Sequence, residues 1–370
     1  MQNSIGFGDG DWNRIEETSQ AWWDGTLDRP LFNISLGGRD PGRPEPSLPS
    51  QHFTSFYSLD TPADMIADRW HYNLSCQHYP GDAFPAVWPN FGPGVIAAYL
   101  GLKLENGQDT VWFHPDHSLS LEEVDLTFRE ETVWYRRLKE LYRTGLERFQ
   151  GEAVLGMTDL GGNLDILSSF RPGEQLLLDL YDEPERVKKL AWDAHHAWHH
   201  YFSELHGLLR SGEAGGNPGY SAWTPVFSKQ SYYVLQCDFC YMIGPEMFDE
   251  FVRPELVASC KRLAHTIYHL DGAGQLAHLD SLLKIEELDA IQWIPGAGAK
   301  PISQWPEVYR KVLDAGKKIQ IFIGQDPSGL AVVDTLVNQL GTGKGLAVVG
   351  HVDQKKKDDL MAMLKRYKAL

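Results

Sequence analysis

A succession of short apolar runs, each ending in polar residues and followed by a helix-forming stretch, constrains the fold of this chain most. The runs AVLGMT, YYVLQC, HTIY, LDAI, IQIFIG and GLAVVG recur from residue 150 to the C-terminus. Between them lie helical patterns at Glu174 to Leu180, Glu183 to Leu209, Pro245 to Tyr268 for most of its length, Trp305 to Ala315, Gly329 to Leu340 and Lys355 to Tyr367. Strands that alternate with helices imply a parallel sheet. With LFNISLGG (31–38) as a first strand there are about eight strand candidates, and no Gly-x-Gly-x-x-Gly turn occurs. A (β/α)8 barrel therefore fits better than a doubly wound dinucleotide fold.

The first half is less regular. WNRIEETSQAWW (12–23) has helical spacing, so residues 1–30 are expected to form an N-terminal helical extension. GRDPGRPEPSLPS is too rich in Pro and Gly for regular structure. Thr61 to Leu74 and Leu121 to Phe149 read as helices, while Cys76 to Gly101, aromatic and Pro-rich, reads as loops over the barrel mouth. No repeat, low-complexity segment or linker interrupts the chain, so residues 1–370 are expected to form one domain.

Composition narrows the partners. A hydrophobic share of 42% and 12 Trp make the chain globular. A formal charge of −16 would repel nucleic acid and anionic membranes over most of the surface. No apolar run approaches the ~20 residues of a bilayer span, and the acidic, polar start does not read as a signal peptide. A cytoplasmic location is expected, with the four cysteines kept as thiols.

In a barrel of this kind the reacting groups stand where strands end. Asp159 follows AVLGMT, Asp238 follows YYVLQC, His269 and Asp271 follow HTIY, Gln292 and Trp293 follow LDAI, Gln325 and Asp326 follow IQIFIG, and His351 follows GLAVVG. In an extended segment His269 and Asp271 project to one side, which suits joint metal ligation or paired acid/base work. The plainer alternative is that His269 satisfies a backbone group and Asp271 caps the next turn. Cys237 and Cys240 have metal-pair spacing but no second pair, and read as buried thiols. His195, His196, His199 and His200 flank the core stripe of the long helix, as a solvated face or one contacting a second copy of the chain in a homodimer.

These residues resemble the uroporphyrinogen decarboxylase superfamily, which includes zinc-dependent corrinoid methyltransferases. The segment LQCDFCYMIGPEMFDEFVRPEL is similar to its strand, acid and P-x-x-F-x-x-F-x-x-P helix. YHLDGAGQLAHLDSLLKIEELDAIQW resembles the next unit, IQIFIGQDPSGL its Asp-Pro turn, and VVGH its last strand. The resemblance implies the barrel with a site at its C-terminal mouth. In the methyltransferases a His-x-Cys pair and a distal Cys hold zinc; here Asp271 stands at the first Cys and His351 near the second. The resemblance thus implies zinc or another divalent metal on His269, Asp271 and His351, with a corrinoid protein as a candidate partner. The decarboxylases use two N-terminal arginines, matched by Arg39 and Arg43, but their pyrrole-binding Asp falls in FPAVWPNFGPG, where Asn90 or Trp88 stands. A porphyrinogen is therefore not the expected substrate.

The first reading is a methyltransferase-like enzyme acting on a small molecule. Its metal is on His269, Asp271 and His351, its acid/base or positioning groups are Asp238 and Asp159, and its substrate contacts are Arg39, Arg43, Asn90, Trp293 and Gln325. The second is a metal-free lyase or glycoside-type hydrolase using strand-end carboxylates, including Asp271, with Arg39 and Arg43 as anion clamps. The third is a non-catalytic barrel that only binds a ligand.

Overall fold

The computed structural model describes residues 4–210 and 216–370. Its strands are numbered here only where they run parallel: β1 Leu31–Gly37, β2 Ala86–Val87, β3 Val154–Leu155, β4 Tyr232–Gln236, β5 His265–Asp271, β6 Ala290–Ile294, β7 Lys318–Phe322 and β8 Leu346–Val352. Six of them form one sheet in the order β1-β8-β7-β6-β5-β4, and β2 pairs separately with β3. Within the sheet β4 to β8 lie side by side in sequence order, and each is joined to the next through a helix. Residues such as Val234, Ile267, Ile291, Ile321 and Val348 are fully buried, as strands covered on both faces require.

Among the described residues the strands do not close into a barrel, and at the strand edges side chains take up backbone groups. On the free edge of β1 the Asp82 carboxylate accepts from the Phe32 amide (2.9 Å), and Gln77–His78 add an antiparallel pair at Leu36 and Gly37. On the free edge of β3 the Asn217 carboxamide both accepts from and donates to the Leu155 backbone (2.9 and 2.8 Å). Tyr233 then donates and accepts across to the backbone of the segment after β3, taking the Leu160 amide at 2.7 Å. Each device satisfies a backbone group that a buried strand edge would otherwise leave unpaired.

Several sequence expectations are corrected. Of Leu121 to Phe149 only Val133–Phe149 is helical. Pro245 to Tyr268 divides into helices Pro245–Phe251 and Arg253–Arg262, each with Pro in its first turn, and β5 begins at His265. The Cys76 to Gly101 stretch contains β2 and a short helix, Ile96–Tyr99. The N-terminal helix Asp9–Trp23 is anchored on the body: Trp23 donates its indole N–H to the Phe227 carbonyl (2.9 Å) and stacks on His265 at the start of β5 (4.3 Å). It covers the N-terminal end of the strands and leaves the opposite end open. Among the described residues no helix is long and apolar enough to cross a membrane.

Candidate functional site

At the C-terminal ends of β4 and β5 the side chains of Asp238, His269 and Asp271 converge, with one ligand-capable atom from each within 4.8 Å of the others. His269 Nε2 lies 3.8 Å from Asp271 Oδ2. The strand alternation puts both on one side, as the His-x-Asp spacing requires. Asp238 enters from the turn just after the neighbouring strand β4, whose last residue Gln236 pairs with His269.

The ring of His269 is oriented from behind. Its Nδ1 is hydrogen-bonded to Gln292 Oε1, and Gln292 Nε2 donates to Gln320 Oε1 (2.6 Å). Gln236, His269, Gln292 and Gln320 occupy matching positions on four adjacent strands, so one polar rung crosses an otherwise apolar interior. With Nδ1 bonded to Gln292, Nε2 is turned toward the two carboxylates. This is the arrangement by which an outer partner prepares a metal-binding histidine. Trp223 meets the ring edge-on at 5.1 Å. Burial works against the imidazolium, but Asp271 and Asp238, with the Gln292 bond, outweigh it and raise the pKa of His269.

Two further carboxyls stand behind the cluster. Asp159 is buried and accepts from the Gly161 amide (3.0 Å). Burial, then the charge of Asp238, pushes its pKa up to about 7. Asp165 accepts backbone N–H bonds from Asp238 (3.0 Å), Phe239 (2.8 Å) and Gly162 (3.2 Å), and so holds the turn that presents Asp238. Burial, with Asp238 beside it, pushes Asp165 to about 7 as well. Gly162 has no room for a side chain, since a Cβ would run into the Gln236 carbonyl.

The remaining sequence candidates fall elsewhere. His351 is exposed, bonds Ser35 Oγ through Nδ1 (2.9 Å) and lines a separate cleft with Lys356 and Arg366, so it is not part of the cluster. Arg43 is committed to Asp68 by two bonds (2.9 and 3.0 Å), and Arg148 shares that carboxylate (2.6 Å). Arg39 donates to the carbonyls of Ser75 and Ser4 (3.1 and 3.3 Å). Neither guanidinium is left as an anion clamp. Asn90 closes its own turn, accepting from the Gly92 amide (3.0 Å). Trp293 points away from Gln292 into the core, fully buried against Trp305 (5.2 Å), and Gln325 stands exposed in the turn after β7.

The helix Pro184–Arg210 does not present its histidines as one face. His196 and His200 are exposed, but His195 and His199 are buried against the helix Arg253–Arg262. His199 Nε2 meets Ser259 Oγ at 3.0 Å, and His195 Nδ1 lies 3.8 Å from Glu255 Oε2. Burial holds His195 down at about 4 and His199 at about 3, and pushes Glu255 up to about 8. A carboxyl raised in the folded state contributes stability below its unfolded pKa and loses it as pH rises through the folded value. Between pH 5 and 8.5 the wild-type melting temperature should therefore fall more steeply than that of Glu255→Gln. The stability difference should reach a few kcal/mol at the alkaline end. Parallel melting curves would contradict a buried, protonated Glu255.

Sequence reasoning missed Gln236, Gln320 and Asp165. A signal was present: YYVLQ, AIQWI and KIQIF each place one Gln in an otherwise apolar strand, and a buried amide needs a partner.

No protein-family model matches the sequence, and no curated protein does. Among solved structures, a methyltransferase from Methanosarcina mazei matches with a TM-score of 0.58 at 13% identity, over 92% of this chain and 93% of that one. At that identity the likeness concerns the mixed α/β fold with its parallel central sheet.

Proposed function

We propose that the chain is a methyltransferase-like enzyme of an opened (β/α)8 architecture, with a divalent metal, zinc by the family resemblance, on Asp238, His269 and Asp271. The observation that carries this is the convergence of two carboxylates and an imidazole oriented from behind by Gln292. The fit is geometric and chemical. Two ligands ~2.1 Å from a tetrahedral zinc stand roughly 3.4 Å apart, close to the His269 to Asp271 separation. The donors are harder than a thiolate set, which suits zinc and other borderline or hard divalent ions. This replaces His351 of the sequence reading by Asp238.

A metal there supplies Lewis acidity that lowers the pKa of an acceptor's thiol, hydroxyl or water. The residues of the chain do the rest. Gln292 keeps the His269 tautomer, Asp165 positions Asp238, and Asp159, titrating near neutrality, takes or returns a proton at its carboxyl. The fold neighbour, a methyltransferase, supports methyl transfer as the favoured reaction, and the family resemblance makes a corrinoid protein the candidate donor.

The test is methyl transfer from methylcobalamin to a small thiol, followed by the loss of methyl-cobalt absorbance. Wild type should turn over, and His269→Ala should fall at least ~100-fold, as loss of a metal site or its support does. No transfer by metal-loaded wild type would sink this reading. The raised pKa of Asp159 beside Asp238 favours a second one, metal-free acid/base lyase or glycoside hydrolase chemistry.

A further inference from the structure

The two carboxylates of the cluster are tied to the sheet unequally. Asp271 ends β5 and pairs with Ile294 of β6, whereas the β4–β5 ladder stops at Gln236 and His269, two residues before Asp238. No strand pairing therefore sets the distance from Asp238 to Asp271, and two like charges converging without a cation between them repel each other. Asp165 holds the Asp238 turn from one side. Its other side meets the turn that follows β5.

The turns Asp238–Met242 and Ala273–His278 join at two points. In the interior, the fully buried His278 donates its Nε2–H to the Cys240 carbonyl (2.9 Å), and its ring stacks on Phe248 (4.6 Å). At the surface, one edge of the Tyr241 ring lies against Gly272 and Gly274, although the side chain is 61% exposed. The backbone itself requires glycine at 272, where φ is +83°. At 274 it does not, because φ there lies outside the left-handed region. What fills the space of a side chain at 274 is Tyr241, whose ring carbons would stand 2.6 and 2.9 Å from a Cβ.

We propose that Tyr241, seated on Gly274 and backed by His278, is a positioning residue that latches the Asp238 turn to the turn after Asp271 and so sets the spacing of the two carboxylates. Ligands held at their spacing before an ion arrives bind it more tightly than ligands gathered against their own repulsion. The consequence for the ion rests on the metal-centre reading; the latch itself belongs to the metal-free chain.

Two measurements separate these. Hydrogen exchange on the metal-free full chain reads the latch, and zinc affinity reads its consequence. Tyr241→Ala, on an exposed side chain whose loss leaves folding intact, should speed exchange at the hydrogen-bonded amides of Cys240, Gly272 and Gln275 and weaken zinc roughly tenfold. Tyr241→Phe keeps the ring edge on both glycines and should behave as wild type in both. Gly274→Ala pushes the ring away, so it should reproduce the Tyr241→Ala effect and add nothing to it in the double variant. With cobalt(II) in place of zinc, the visible absorption of wild type should lose intensity in Tyr241→Ala and keep it in Tyr241→Phe, as a looser ligand set admits more water. Wild-type exchange rates in Tyr241→Ala, or additive effects of Tyr241→Ala and Gly274→Ala, would overturn the latch. Faster exchange with unchanged zinc affinity would overturn its hold on the carboxylates. A wild type that takes up no zinc overturns the metal reading, and the exchange comparison still decides the latch.

Discussion

Asp82→Ala is expected to cost about 3–5 kcal/mol of folding stability, the scale for breaking one partner of a buried ion pair. Asp82 is buried, and its carboxylate accepts two bonds from Arg29 (2.6 and 2.9 Å) and one from the Phe32 amide. Removing it leaves a largely buried guanidinium and a buried backbone N–H without partners at the edge of β1. Asp82→Asn keeps an acceptor for Phe32 but loses the charge, so it should fall between wild type and alanine. Denaturant midpoints of the three proteins measure the effect. A loss below about 1 kcal/mol for alanine would mean that this edge is held by other groups.

That edge also shows what the sequence conceals. Strands β4 to β8 were legible because short apolar runs buried on both faces stand out between amphipathic helices. Strand β2 was not, being two residues in the short stretch between Pro85 and Pro89, and its place is set by the Pro85 and Val87 carbonyls, which accept from the Val154 and Gly156 amides around β3. The side chains that finish the edges, Asp82 and Asn217, look in sequence like ordinary loop residues. Their role depends on partners 50 and 62 positions away.

The site divides in the same way. His269, Asp271 and Asp238 were marked by their place at strand ends, and those positions follow from local pattern. Which third group joins the pair was not a local matter. His351 ends its strand as visibly as Asp238 does, but it lies beside β1 and bonds Ser35. Asp238 opens the turn that follows β4, the strand adjacent to β5, and is held there by Asp165 from another element. Arg39 and Arg43 matched by spacing, yet their guanidinium groups are spent on Ser75 and Asp68. Trp293 shows the parity rule at work. Gln292 faces the rung, so its neighbour must face the core.

His269→Ala should have the largest effect on the centre itself. The variant deletes the only nitrogen donor of the cluster, leaves Gln292 Oε1 unpartnered and leaves two carboxylates facing each other. Affinity for zinc should fall at least ~100-fold, a larger loss than changing an outer partner produces. Gln292→Leu should fall between the two, since the donor remains but its orientation is lost.

The most direct measurement is metal content by elemental analysis, on wild type and His269→Ala prepared without a metal-affinity tag and supplied with zinc. Wild type should retain about one divalent ion per chain after exhaustive dialysis, and His269→Ala almost none. A folded wild type that binds no divalent ion, or a His269→Ala variant that retains it fully, would contradict a metal centre on Asp238, His269 and Asp271.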